Sequence, residues 1–128
     1  RQPPAAPVEA VNPASLDKTA GYSHVVKVGT GQLVFSGTQA AFGFEEPDAR
    51  LAFERLARSV EQAGGSLRDA VFAGFYPLSM QLVPVIRKVR AEFFSPDRPP
   101  AASLLPFEAL PSLDAGFAMD VVTARNSP

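Results

Sequence analysis

The 128-residue chain contains no cysteine, which excludes disulfides, thiolate nucleophiles and cysteine-based metal sites. Its single histidine, His24, excludes a multi-histidine metal site as well, so no metal is expected. A lone imidazole without an evident nucleophile beside it is ordinarily structural, and His24 is read that way. Lys and Arg number 12 and Asp and Glu 13, scattered without a run of either sign, for a net charge of −1. Phosphate-tracking surfaces need clustered cations, so no nucleic-acid partner is expected. No apolar run approaches the roughly 18–20 residues that a bilayer span requires, and no membrane partner is expected.

What is present fits one domain with one core. Hydrophobic residues make up 46% and charged residues 20%, the balance of an ordinary globule. The opening Arg1-Gln2-Pro3-Pro4-Ala5-Ala6-Pro7 is too poor in large apolar residues to pack, so residues 1–20 are read as a flexible extension. The domain proper is placed at 21–125. A cytoplasmic setting is expected, with export left open by that Pro/Ala-rich start.

From Tyr22 the pattern is that of strands. Val25, Val26 and Val28, a turn at Thr30-Gly31-Gln32, then Leu33-Val34-Phe35 read as a hairpin, followed by a loop to about Glu46. Pro47 and Asp48 open a helix. Its stripe is Ala49, Ala52, Phe53, Leu56, Val60 and Ala63, and Gly64-Gly65 stops it. Ala70 to Tyr76 is apolar on both faces and short, which suits a buried strand. A second helix begins near Leu82 with Leu82, Ile86, Val89 and Phe93 as its stripe, and Pro96, Pro99 and Pro100 end it. Strands at about Ala101–Phe107 and Gly116–Ala124 complete the order ββ-α-β-α-ββ. The fold class is α+β, with two helices covering one face of a mixed sheet. The other face stays apolar and exposed unless a second subunit covers it, so self-association is expected.

Four stretches in that order resemble the RidA/YjgF family, also called endoribonuclease L-PSP-like, whose fold is chorismate-mutase-like. They are Gly21-Tyr22-Ser23-His24-Val25-Val26, Leu33-Val34-Phe35-Ser36-Gly37, Ala63-Gly64-Gly65-Ser66-Leu67-Arg68-Asp69-Ala70-Val71, and Pro100-Ala101-Ala102-Ser103 followed by Leu110-Pro111 and Met119-Asp120-Val121. Each is weak alone, but four at the family's separations are specific. The resemblance implies a homotrimer with small-molecule clefts between subunits. It also implies hydrolysis of reactive enamines and imines without cofactor or metal. Some members were first described as ribonucleases, a reading that the missing basic patch opposes.

The departures bear most on function. Active members carry an arginine that holds the substrate carboxylate where this chain has Ala102, which places it in an arginine-lacking subgroup. A guanidinium offers a bidentate fork and a methyl group offers no donor, so deamination of a free imino acid is not expected. The family asparagine on the second helix corresponds to Arg87. The acid of the last strand is shortened to Asp120, and Leu104 makes the mouth more apolar. Asp120 is the candidate catalytic residue, orienting a water. Tyr22, Ser23, Ser36, Gly37, Arg87, Ala102 and Leu104 are the candidate ligand-binding residues.

The first expectation is a protein that binds a small carbonyl- or carboxylate-bearing metabolite. The second is a divergent hydrolase or tautomerase using Asp120, with Arg87 or Arg98 holding the anion. Blander roles stand beside these. Arg87 suits a solvated helix face, Asp120 a strand-end hydrogen bond, Tyr22 and Ser23 a strand start, and Glu108 a rim. Ser36-Gly37 completes no nucleophile elbow, since position 34 is Val and position 38 is Thr. Gly29-Thr30-Gly31 leads into a strand, so it lacks the helix N-terminus of a phosphate cradle.

Overall fold

A computed structural model describes residues 8–15, 22–23, 25–29, 31–108, 110 and 113–125. Seven strands and two helices follow in the order β1 (Val8–Val11), β2 (Val25–Val28), β3 (Gln32–Phe35), β4 (Gln39–Phe42), α1 (Glu46–Gln62), β5 (Ala70–Pro77), α2 (Val83–Phe93), β6 (Ala101–Leu104) and β7 (Ala115–Arg125). The class is α+β, as expected, with two more strands ahead of α1 than the sequence reading gave. His24, and the flexible extension at residues 1–7 and 16–20, lie outside the described residues.

Helix α1 forms where the 3.6-residue stripe predicts it. Pro47 sits in its first turn, and the Glu45 backbone N–H donates to Asp48 Oδ2 at 3.1 Å, satisfying one of the orphan donors there. Gly64, at φ +86°, supplies the left-handed residue that ends it. Ala49, Ala52, Phe53, Leu56 and Val60 are buried against the sheet. Phe53 is the hub, stacking on Phe93 at 5.2 Å and meeting Phe94 edge-on at 5.9 Å. Truncating it to alanine removes about 3–5 kcal/mol. The last turn of α2 is closed by Arg68, which donates to the Phe94 carbonyl at 3.0 Å and to the Glu92 carbonyl at 3.3 Å.

The main sheet runs β3-β7-β5-β6, with β4 also paired to β7. Only the β5–β6 pair is parallel, so the sheet is mixed. Strand β7 is long enough to serve two partners along one edge: Gln32–Phe35 pair with Arg125–Val122, and Gln39–Ala41 with Met119–Phe117. This corrects the reading of residues 36 to 46 as one loop, since β4 lies within it.

The hairpin expected between β2 and β3 is also corrected. β2 pairs with β1 instead, Val28 opposite Val8 and Val25 opposite Val11, within the stretch read as an extension. β3 pairs with β7, where Leu33 and Phe35 meet Ala124 and Val122. Four-residue strands gain more from a neighbour that matches their pleat than from proximity in sequence.

Phe75, Phe117, Met119 and Val121 turn inward to the helices and join one core with Phe53, Leu56, Ile86 and Val89. The opposite face carries the cross-strand rows Phe35–Val122–Phe72, Asp120–Gly74–Ser103 and Ala40–Ala118–Tyr76. It is uncovered.

Candidate functional site

Strand β6 is an edge strand, and its start is fixed by Ser23. The Ser23 backbone N–H donates to the Pro100 carbonyl at 3.1 Å and its hydroxyl to the Pro99 carbonyl at 2.6 Å. Ser23 also forms a parallel bridge with Ala101. Ser23 is 1% exposed, and its hydroxyl is engaged by the Pro99 carbonyl. Its effect is to hold Tyr22 beside the head of β6.

By register, Ala102 and Leu104 of β6 share the face of Ala73 and Phe75 and so turn toward α2. There the chain leaves a cavity of about 110 Å³ lined by Tyr22, Phe75, Arg87, Arg90, Ala102, Ser103 and Leu104. Four of the expected ligand-binding residues, Tyr22, Arg87, Ala102 and Leu104, therefore come together. A larger cavity of about 380 Å³ lies on the other side of the two arginines, walled by Ala91, Phe94, Ser95, Pro96 and Pro99.

Arg90 is the residue that sequence reasoning missed. It is 8% exposed, and burial, with the like charge of Arg87 adding to it, pulls its guanidinium below the ordinary arginine value. The nearby Tyr22 phenol acts in the opposite direction. A signal was available in the pattern. Position 90 lies four residues after Ile86 and seven after Val83, on the buried stripe itself, where a cation is out of place. Arg98, weighed as an anion holder, is elsewhere: it lines neither cavity and pairs with Asp69 at 3.4 Å.

Asp120, Ser36 and Gly37 form a second group away from the cavities. Between the end of β3 and the start of β4, the Ser36 hydroxyl accepts the Val121 N–H at 2.9 Å, while the Ser36 N–H donates to the Val121 carbonyl at 2.9 Å. Exposed Gly37 follows, with open space where a side chain would stand. Asp120 lies on the uncovered sheet face, where the Tyr76 hydroxyl donates to its carboxylate at 3.2 and 3.3 Å. Burial, then the Asp120 charge, raises the Tyr76 phenol, so it stays a proton donor. Glu108 is exposed.

Among the described residues no group of three His, Asp or Glu side chains is placed to hold a metal ion. No helix among them is long and apolar enough to cross a membrane.

A family model described as Endoribonuclease L-PSP matches residues 12–124. The fold is shared with a protein of unknown function of the conserved Rid family from Yersinia pestis, at TM-score 0.82 and 18% identity over 93% of this chain and 99% of that one. A member of the YjgF/YER057c/UK114 family from Mycobacterium tuberculosis aligns at TM-score 0.67 and 22% identity, covering 91% of this chain and 98% of its own. RidA from an Antarctic Psychrobacter aligns at TM-score 0.66 and 24% identity, over 84% and 91% of the two chains. No curated protein matches the chain significantly.

Proposed function

The chain belongs to the endoribonuclease L-PSP family, the RidA/YjgF proteins, and on that premise we propose that it binds a small carbonyl- or carboxylate-bearing metabolite without deaminating imino acids. Three copies form the working unit, with one cleft at each subunit boundary. One wall of each cleft is the cavity bearing Tyr22, Arg87, Ala102 and Leu104. The other is the sheet face bearing Asp120, Ser36 and Gly37, contributed by the neighbouring copy. Within one subunit the two groups are apart, and packing between copies is what joins them.

The observation that carries this reading is Ala102 itself. It lines the cavity from β6 with a methyl group, so that strand offers no fork to a substrate carboxylate. The remaining lining sets apolar Phe75 and Leu104 beside Tyr22, Ser103, Arg87 and Arg90, the mix of apolar wall and convergent polar groups that holds a small polar ligand. The test is ammonia release from freshly generated 2-aminoacrylate by the purified protein. No release above the spontaneous rate is expected, together with thermal stabilisation by at least one 2-keto or aromatic acid. Rapid release would overturn the proposal, and so would a keto-acid series that stabilises nothing.

The Tyr76–Asp120 hydrogen bond favours one alternative. A carboxylate held by a phenol on an exposed face can orient a water, giving a cofactor-free hydrolase or tautomerase. That reading requires Asp120→Asn to abolish turnover of an imine or enol while leaving the oligomer intact.

A further inference from the structure

Arg90 occupies a position that its helix reserves for apolar side chains, between buried Val89 and the core-facing end of α2. A guanidinium withdrawn from water costs free energy unless an anion or several acceptors face it. Elsewhere the chain provides such partners: Arg50 has Glu46 and Glu92, Arg68 has two helix carbonyls, and Arg98 has Asp69. Among the described residues neither Arg87 nor Arg90 has a carboxylate partner. The charge that acts most on Arg90 is the cation of Arg87, one helical turn before it, which repels it. Two cations held together against repulsion, one of them nine-tenths buried, form a site that lacks its counter-charge.

Both arginines line both cavities, and among the described residues no Asp or Glu lines either one. The apolar part of the wall includes Phe94, Pro96 and Pro99 on the larger side and, next to Tyr22 and Ser103, Phe75, Ala102 and Leu104 on the smaller. We infer that Arg87 and Arg90 together form a two-guanidinium receptor, carried on α2, for a small organic dianion with an apolar body. The two charges of the ligand match the two cations, and its body fills one of the flanking apolar cavities. Phosphate monoesters and dicarboxylates share this chemistry. The inference rests on the ligand-binding reading above and narrows the ligand's class.

The test is isothermal titration at low salt with phenyl phosphate, phenylsuccinate and the monoanion benzoate. At least one dianion should bind tighter than benzoate by about tenfold or more, the worth of one extra charge-assisted contact. The stronger dianion identifies phosphate or dicarboxylate as the natural group. Arg90→Met keeps the stem length and should weaken that dianion by about tenfold or more, with benzoate affected less. Its melting temperature should be unchanged or higher, because an unpaired buried cation has been removed.

Equal affinity for benzoate and both dianions would overturn the receptor, as would undiminished dianion binding in Arg90→Met. So would an Arg90→Met variant that melts lower or loses its oligomeric state, since Arg90 would then have its partner across a subunit contact. Ala102→Phe, which fills the smaller cavity, separates the two readings. If it abolishes benzoate binding while dianions show no preference, the cleft stands and the receptor falls. If phenyl phosphate binds by way of Arg90 and no keto or aromatic acid binds, the receptor stands and the metabolite reading falls. If no probe binds at all, both fall.

Discussion

The Tyr76 hydroxyl reaches both carboxylate oxygens of Asp120, at 3.2 and 3.3 Å, across a gap that exists because residue 74 is glycine. Gly74 stands opposite Asp120 in the β5–β7 register. A Cβ there would sit 2.5 Å from Asp120 Oδ1 and 2.5 Å from the Tyr76 hydroxyl oxygen. Glycine at this point is a matter of close approach, not of backbone dihedral.

This geometry orders three substitutions. Gly74→Ala should cost about 1–3 kcal/mol, because both side chains must move to admit the methyl group. Tyr76→Phe should cost about 0.5–1.5 kcal/mol, one hydrogen bond to a charged acceptor at a half-exposed site. Asp120→Asn keeps an acceptor for the phenol and should lie within about 0.5 kcal/mol of the parent. Urea unfolding measures all three. An Asp120→Asn variant as unstable as Gly74→Ala would show that the carboxylate carries structural weight which the hydrogen bonds do not explain.

The α1–α2 contact is tied on the surface by Arg50, which hydrogen-bonds Glu92 at 2.6 and 3.1 Å and Glu46 at 2.9 Å, while Lys88 joins Glu46 at 3.2 Å. These bonds, Arg50's first, hold both carboxyls below their ordinary value of 4.5. A carboxyl with a depressed folded value stabilises the fold above its unfolded value and loses that contribution as pH falls through the folded one. Arg50→Met should therefore lower the melting temperature by about 1–3 °C at neutral pH, a small effect because the cluster is exposed. The difference from the parent should shrink as pH falls below 4.5 and be smaller in high salt. A gap that persists in acid would assign the loss to packing of the Arg50 stem.

The elements legible in the sequence were those whose pattern repeats often enough to be unambiguous. Helix α1 shows its stripe over four turns, and β5 is apolar on both faces with turns at either end. Strand β4 was not legible: Gln39-Ala40-Ala41-Phe42 has no β-branched residue and lies between Gly37 and Gly43. It becomes a strand because β7 extends past the end of β3 and leaves an edge to be paired. β1 was hidden in the same way, among prolines, and is defined by its ladder to β2.

The candidate site was half legible, for a different reason. Tyr22 and Ala102 stood within recognisable stretches and Leu104 just after one, and the chain folds them around one cavity with Arg87. Arg98 stood two residues before Pro100 and seemed close to the same place, but Asp69 draws it away. Proximity in sequence does not determine which way a loop side chain turns. Arg90 belonged to no recognised stretch and showed only as a charge on an apolar stripe, a signal that composition and motif searching both pass over.

The uncovered sheet face supplies the last prediction. Phe35 is 71% exposed, and it leads a cross-strand row of Val122 and Phe72, with Leu33 half exposed beside it. Large apolar side chains aligned on one sheet face lose free energy to water that a second subunit recovers, at about 25 cal/mol per Å² buried. Phe35→Glu should leave the far-ultraviolet spectrum unchanged, because the residue lies outside the helix-facing core. It should nevertheless shift the proposed oligomer toward monomer in light scattering, raising the dissociation midpoint by about tenfold or more. Val122 and Phe72 flank the Asp120 row on the same face, so the surface proposed to join copies also carries half of the proposed cleft. Monomeric Phe35→Glu should then bind keto acids more weakly although none of its cavity residues has changed. A monomeric parent at tens of micromolar, or full ligand binding by the monomeric variant, would confine the site to one subunit.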